Sequence, residues 1–268
     1  MNEYIDCYVA FLDILGFKAL QENASCDEIK HIFDELIGFK AHPLLKDRKV
    51  YGEVRLYVMS DSVVVYIASQ KEDAFIALAE VCLQIQLKLA THNPPILVRG
   101  AIEKGPLYCE GNIIFGGGLS KAYVLESTLA KYPRIIFTDA IRKVALQNTG
   151  KSFVFDYSQM FYKKDSDMLF YIDYLHTFAF IPSLKVKTID EITDFDNAFF
   201  EKLFEYIEER LGEEKSPSIR EKYMWLREKV LMQVEHMPEV KKHFKEIERK
   251  DQEEKTKRFD LALDNNAN

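Results

Sequence analysis

Two aspartates have the spacing and sequence context of a metal-binding or catalytic pair. Asp13 ends the apolar, β-rich run of residues 4–15, and Asp61 lies between the β-rich runs 54–58 and 62–67. Because only a short turn separates the two later runs, they predict a tight hairpin with Asp61 in its turn. If that hairpin pairs with the first strand, the carboxylates meet at one end of a sheet and repel each other unless a cation lies between them. Paired carboxylates suit Mg²⁺, so the spacing predicts a site for divalent cations.

Each of these aspartates could instead have a purely structural role. Asp13 could cap the turn that follows it, and Asp61 could be an ordinary turn aspartate. The turn Leu15-Gly16-Phe17 directly after Asp13 could present backbone N–H groups to a phosphate, as an anion nest does. It could equally be a simple connection between a strand and a helix. Residue types alone leave both interpretations open.

The surrounding patterns predict an α+β fold with a mostly antiparallel sheet flanked by helices. Ser25 is the expected N-cap of the first helix, and Lys104-Gly105-Pro106 is expected to link two separate strands. We expect strands at 4–15, 54–58, 62–67, 96–102, 107–114, 134–138, 153–156 and 169–173, and helices after Ser25, over 72–91, from 116 and over 139–147.

The character of the sequence changes after Pro182, where it becomes helical in period and rich in Glu and Lys. Helices are expected near 194–212, 218–235 and 238–258, with Trp225 in their core. We therefore expect two domains, residues 1–180 with the sheet and residues 181–268 as a helical C-terminal extension. The charge pattern of the extension is typical of a solvated helix surface.

Composition narrows the class of protein. The 268 residues are 47% hydrophobic, which supports one large or two small packed domains, and the net charge of -7 argues against a protein that mainly neutralises nucleic acid. The four cysteines show neither a disulfide framework nor zinc spacing, and the histidines show no ligand spacing. The N-terminal residues resemble no secretory leader, and no apolar stretch reaches the roughly 20 residues of a membrane span. We expect a cytoplasmic protein with no membrane or nucleic-acid partner.

Four segments, in order, resemble the motifs of class III nucleotidyl cyclases. FLDILGFKAL at 11–20 is similar to the first metal motif, and VMSDSVVVYI at 58–67 to the second. VRGAIEKGPLY at 98–108 resembles the strand and Gly-Pro turn that follow, and FGGGLSKAYVLES at 115–127 resembles the Trp-Gly-x-x-Val-Asn-x-Ala-x-Arg-x-Glu segment. The resemblance covers residues 4 to about 175 and implies the cyclase fold.

The resemblance also implies roles for individual residues. Asp13 and Asp61 would hold two divalent cations, Mg²⁺ or Mn²⁺, and Ile14 would offer its carbonyl oxygen to one of them. Backbone amides of the next turn would cradle phosphates: Leu15, Gly16 and Phe17.

This chain departs from the family at the residues that stabilise the transition state. Ser120 stands where the family has Asn, and Val124 stands where it has Arg. Other cations are therefore candidates for binding the triphosphate, although each could be a solvated surface charge: Arg55, Arg99, Lys121, Lys163 and Lys164.

The residues at the positions that select the base also differ from those of the family. Tyr57 stands where adenylate cyclases have Lys and guanylate cyclases usually have Glu, and Ile113 replaces the second purine-reading residue. A bulky Tyr57 would exclude a purine and admit a pyrimidine, although it could also be a plain cross-strand aromatic. These features resemble the pyrimidine cyclases of bacterial Pycsar anti-phage systems, which make cyclic UMP or cyclic CMP.

That resemblance implies a wider set of partners. The substrate would be UTP or CTP, with UTP weakly favoured, and the cyclic product would activate a separate effector. The enzyme would be a head-to-tail homodimer, with both acids and Tyr57 from one subunit and the helix bearing Ser120, Lys121 and Val124 from the other.

Three alternatives remain open from the sequence. The chain could be a purine cyclase with an unusual pocket. It could be a catalytically silent, cyclase-like sensor that binds a nucleotide, since Ser120 and Val124 replace the expected Asn and Arg. It could also be an interaction protein that works through its charged helices at 194–258.

Overall fold

The computed structural model describes residues 3–37, 53–147, 162–176 and 189–266. The chain divides into two compact units, residues 1–185 and 186–268. The strand expected at 153–156 lies outside the described residues.

The first unit alternates strands and helices. Its elements are β1 (Ile5–Ile14), α1 (Phe17–Asn23), α2 (Cys26–Ile37), β2 (Arg55–Met59), β3 (Ser62–Ala68), α3 (Ala74–Ala90), β4 (Val98–Glu110), β5 (Ile113–Phe115), α4 (Gly117–Leu129), β6 (Ile135–Phe137), α5 (Asp139–Gln147), β7 (Tyr162–Lys164) and β8 (Phe170–Ile172).

These strands form one sheet in the order β2-β3-β1-β4-β6-β8-β7, with β5 paired to β4. Among the described strands, the β4–β6 pair is parallel and the others are antiparallel. The predicted α+β class, with a mostly antiparallel sheet flanked by helices, is confirmed. The hairpin of β2 and β3 is confirmed too, with Ser60 and Asp61 in its turn.

Helices pack on both faces of the sheet because β1 is apolar on both faces. Every residue of α3 except Lys88 is buried, and this helix lies against one face. On the other face, α4 packs over β1 and β4, where Phe11 contacts Tyr123 edge to face. Ser25 caps α2 as predicted: its N–H donates to the Glu28 carboxylate and the Glu28 N–H donates to its hydroxyl, which makes a capping box.

One predicted turn is wrong. Lys104-Gly105-Pro106 lies inside the continuous strand β4, and the chain reverses later, at Gly111. Gly105 instead allows close packing, because a Cβ there would make a tight contact, 3.0 Å from the backbone nitrogen of Gly118 in α4. The prediction assumed that a Gly-Pro pair ends a strand, whereas this pair lets a helix approach one. The short helix α1 was not predicted.

The second unit contains α6 (Ile189–Glu213), α7 (Pro217–Gln233), a 3₁₀ turn (Val234–His236) and α8 (Pro238–Asn266). The three predicted helices are therefore confirmed. Trp225 is buried as expected, and the ring of Phe204 stacks on that of Phe244 with centroids 3.8 Å apart. In the described part of the chain, no helix has both the length and the apolar character required to cross a membrane.

Candidate active site

The structure brings the segments that carry Asp13 and Asp61 into contact. Asp13 is the second-to-last residue of β1 and is in register with Ser62, the residue after Asp61. The backbone N–H of Ile14 donates a hydrogen bond to the carbonyl oxygen of Asp61, at 2.9 Å. Both acids thus lie at the same end of the sheet, as the hairpin predicted.

Asp13 is paired with a cation from the neighbouring strand. Arg99 on β4 is in register with Asp13, and its Nε donates to Asp13 Oδ2 at 2.9 Å. The same nitrogen lies 2.9 Å from Oε1 of Glu126, a buried residue of α4. Arg99 was expected to contact phosphate, and here its side chain lies between two carboxylates.

The acidic side chains at this end of the sheet could supply some, but not all, of the ligands of a divalent cation. Asp13, Asp61 and Glu126 are acidic, and Arg99 is paired with two of them. Among residues 3–37, 53–147, 162–176 and 189–266, no group of three or more His, Cys, Asp or Glu side chains could enclose a metal ion. Two aspartates suit a Mg²⁺ or Mn²⁺ ion whose remaining ligands are water and substrate phosphates. The residues present therefore fit a cation that binds together with a nucleotide.

The turn after β1 is the segment for which an anion nest was predicted. Gly16 has a φ of +74°, and nothing lies within 4 Å of where its Cβ would be. It caps α1, so its backbone and that of Phe17 lie at a helix N-terminus, where N–H groups lack helical partners. The N–H of Leu15 instead donates to the carbonyl of Leu97, at 2.9 Å. The predicted phosphate contact of Leu15 therefore competes with an existing hydrogen bond.

Tyr57 lies on the same face of the sheet as Asp13. Tyr57 is in register with Val64 and Val64 with Phe11, which is two residues before Asp13. The Cα atoms of Tyr57 and Asp13 are therefore about 10 Å apart across the sheet, which is two strand spacings. Along the strand direction they are about 7 Å apart. Tyr57 is half-buried and packs against the apolar cluster that Ile114 and Leu119 also contact. Arg55 is exposed on the same face, two residues farther from the acids.

The other predicted site residues on β5 and α4 are exposed. Ile113 is at the start of β5, and Ser120, Lys121 and Val124 lie on the outer surface of α4. They are therefore available to a second molecule.

The predicted phosphate lysines on β7 lie far from the acids within one chain. Four strand spacings separate β7 from β1, which is about 20 Å. Lys163 forms an ion pair with the buried Asp173 at 2.7 Å, and the ammonium of Lys164 lies over the ring of Phe170. As neighbours on a strand, they point to opposite faces.

Sequence reasoning missed two charged residues. Glu126 lies on the buried face of α4, and its signal was its spacing of four from Ala122 and eight from Gly118, the other buried residues of that helix. Arg134 is fully buried and pairs with Asp165 and Asp167, which attaches the β7–β8 turn to the start of β6. Nothing in the sequence around Arg134 indicates these partners.

Comparison with known proteins gives matches only among solved structures. No family model and no curated protein matches the chain. The catalytic core of a rhodopsin-guanylyl cyclase with converted specificity, in complex with ATPαS, is 16% identical with a TM-score of 0.45, over 63% of this chain and 94% of that one. A bacterial light-regulated adenylyl cyclase is 17% identical with a TM-score of 0.42, over 68% and 96%. The adenylyl cyclase CyaB from P. aeruginosa is 17% identical with a TM-score of 0.39, over 53% and 81%.

Identity and TM-score are low in all three comparisons. They therefore assign no activity to this chain.

Proposed function

We propose that this protein is a nucleotidyl cyclase, a phosphorus-oxygen lyase that converts UTP or CTP into the 3′,5′-cyclic monophosphate and pyrophosphate. The observation that carries the proposal is the junction of Asp13 and Asp61 at one end of the sheet, beside the glycine turn at Gly16. Two carboxylates suit a divalent cation whose remaining ligands are the phosphates of a substrate. The sequence resemblance adds the reaction type.

In this mechanism the chain's residues bind and orient the substrate. Asp13, Asp61 and the Ile14 carbonyl would hold two divalent cations, and the amides of Gly16 and Phe17 would face phosphate oxygens. Divalent cations bound there would lower the pKa of the ribose 3′-hydroxyl and neutralise the leaving pyrophosphate. Lys121, Lys163 and Lys164 are the candidates for further contacts with the triphosphate.

Tyr57 supports a pyrimidine substrate. It is half-buried on the sheet face that carries Asp13, and it offers a ring and a hydroxyl instead of a charge. A side chain of this size leaves less space for a base, which disfavours the larger purine ring. UTP is the weakly favoured substrate, with CTP as the close alternative.

The proposed enzyme is a homodimer in which α4 serves the site of the other subunit. Exposure of Ser120, Lys121 and Val124 supports this arrangement, because exposed side chains can face a second subunit. As the resemblance implies, the acids and Tyr57 of one subunit would meet α4 of the other.

A cyclic pyrimidine nucleotide would act as a second messenger. The resemblance to Pycsar cyclases supports a role in anti-phage defence in the cytoplasm, with a separate effector protein that binds the product. No nucleic acid or membrane takes part in this proposal.

The test is to incubate the purified protein with each of the four NTPs and Mn²⁺ and to identify the products by mass spectrometry. We expect cyclic UMP or cyclic CMP, and a loss of about 100-fold or more in Asp61→Asn, because charge stabilisation of the phosphates is removed. Asp139→Asn is the matched control: it neutralises a partly exposed aspartate on α5, which pairs with Arg142 and Lys143, and should leave activity unchanged. Equal activity in Asp61→Asn would refute the assignment of the acids.

One rival function has an observation in its favour. Ser120 and Val124 cannot supply the hydrogen bonds and positive charge of the family's Asn and Arg, which favours a silent sensor that binds nucleotide. Such a protein would bind an NTP but release no pyrophosphate. Cyclic AMP or cyclic GMP as the product would instead keep the cyclase and replace the pyrimidine assignment with the purine alternative.

A further inference from the structure

Arg99 lies between two carboxylates that come from different elements. Its Nε is 2.9 Å from Asp13 Oδ2 on β1 and 2.9 Å from Glu126 Oε1 on α4. One N–H carries one hydrogen, and in this structure that hydrogen is directed to Asp13. Glu126 is therefore a second acceptor at the same distance.

The two carboxylates differ in how much they need the guanidinium. The side chain of Glu126 is 4% exposed and that of Asp13 is 20% exposed. A buried carboxylate is costly unless a cation compensates it, so Glu126 depends on Arg99 more strongly. Arg99 Nη1 also donates to the carbonyl oxygen of Ala130, at 3.3 Å. Arg99 thus contacts two groups of α4 and its C-cap, the Glu126 carboxylate and the Ala130 carbonyl. Asp13 is the more exposed of its two carboxylate partners.

A divalent cation at Asp13 would change this balance. A cation on that carboxylate repels the guanidinium, since like charges at short distance in a partly buried site are unfavourable. Glu126 can accept the N–H without any large movement of Arg99, because the two distances are already equal.

We propose that Arg99 is a positioning residue that neutralises Asp13 in the absence of metal and redirects its Nε–H hydrogen bond from Asp13 to Glu126 when a divalent cation binds. This inference rests on the proposed metal site. It gives Arg99 a role distinct from phosphate binding and gives the buried Glu126 a role in metal affinity.

The first experiment measures Mn²⁺ binding to the full-length protein, alone and with a nucleotide, by electron paramagnetic resonance of the free ion. Wild type should bind Mn²⁺, and Asp13→Asn should lose the binding. Glu126→Gln should weaken it about tenfold or more, since Arg99 then has no anionic acceptor other than Asp13. The matched control is Glu208→Gln, because Arg227 in the second unit is likewise shared between Glu208 and Glu248. This control should leave Mn²⁺ binding unchanged.

A double-mutant cycle separates transfer of the hydrogen bond from a general charge effect. If Glu126 acts only through Arg99, then Glu126→Gln has no effect on Mn²⁺ affinity in a protein that already carries Arg99→Gln. If Glu126 acts by charge alone, it weakens binding by the same factor in both backgrounds. The second result would overturn the proposal.

A spectroscopic measurement covers the case in which Arg99→Gln fails to fold around the buried Glu126. The ¹⁵Nε–¹H resonance of Arg99, assigned with Arg99→Lys, should shift during a Mg²⁺ titration of wild type and saturate with the same affinity as binding. In Glu126→Gln this shift should be absent or much smaller. A resonance that does not respond to Mg²⁺ in wild type would overturn the proposal.

The outcomes separate this inference from the proposed function. Mn²⁺ binding that is lost in Asp13→Asn but unchanged in Glu126→Gln would refute only the exchange at Arg99. Wild type that binds no Mn²⁺, alone or with a nucleotide, would refute the metal site and with it both proposals.

Discussion

Tyr57 is the residue on which the choice of base depends. Its ring is half-buried and packs against the apolar cluster that includes Phe11 and Val64. If the ring excludes purines by size, its removal opens space that a purine can fill. Tyr57→Ala should therefore reduce the preference for pyrimidine over purine triphosphates by about tenfold, which competition among the four NTPs would measure.

Tyr57→Phe is the matched control for that prediction. It keeps the ring and removes only the hydroxyl, so discrimination by size should survive, while a hydroxyl contact to the base would appear as a raised KM. If Tyr57→Ala discriminates as wild type does, then Tyr57 is a structural aromatic and another residue selects the base.

At the residue scale, sequence located the acids but not what surrounds them. The hairpin around Asp61 was predictable because it is a local pattern, whereas its pairing with β1, which brings Asp13 beside it, was a condition of the prediction. The contact of Arg99 with Glu126 was not, because it joins a strand to a helix that crosses the sheet 27 positions later. Registers between distant elements decide such contacts, and no periodicity encodes them.

At the element scale, β4 illustrates why sequence patterns can mislead. Gly105 and Pro106 are typical turn residues, yet both lie within a continuous strand of 13 residues. The close approach of α4 at Gly118 explains the glycine. By contrast, the helices of the second unit were predicted well, since their helical periodicity and the prolines at two of their starts are local features.

The long helix α6 carries a buried acid that should make stability depend on pH. Asp196 is 5% exposed, and burial raises its pKa from 3.8 to about 7. Between those values the folded chain keeps a proton that the unfolded chain releases. The free energy of unfolding of the second unit should therefore fall by about 1 kcal/mol per pH unit from pH 4 to pH 7, and then stop falling.

Trp225 allows this prediction to be measured in one unit, because it is the only tryptophan of the chain and lies in α7. Urea unfolding followed by its fluorescence at pH 5 and pH 7 gives the slope. Asp196→Asn should flatten the slope, and Asp194→Asn, which changes an exposed aspartate on the same helix, should not. An unchanged slope in Asp196→Asn would contradict the assignment to this carboxyl group.

At the scale of the whole molecule, five large apolar side chains are exposed along β5 and α4: Ile113, Phe115, Tyr123, Val124 and Leu129. Val124 is 55% exposed and Ile113 is 59% exposed. Surfaces of this kind mark interaction sites. The proposed homodimer would cover them and would bring α4 to the acids of the other subunit.

A single charge on that surface tests the assembly. Val124→Glu should convert a dimer of twice 31.2 kDa into a monomer, because burying an unpaired carboxylate at an interface is unfavourable. Light scattering measures the mass, and cyclase activity should fall by about 100-fold or more in the monomer, because each site then lacks its second subunit. Met224→Glu is the control, since Met224 is 58% exposed on α7 in the second unit and should tolerate the same change.

Mass and activity together decide between the two arrangements. Loss of the dimer together with loss of activity supports a site shared between subunits. A monomeric Val124→Glu protein with full activity would show that one chain contains the whole site. Lys163 and Lys164 could then not reach the phosphates, because about 20 Å of sheet separates them from Asp13. A shared site removes that difficulty, since a second subunit can bring its own cations to the acids.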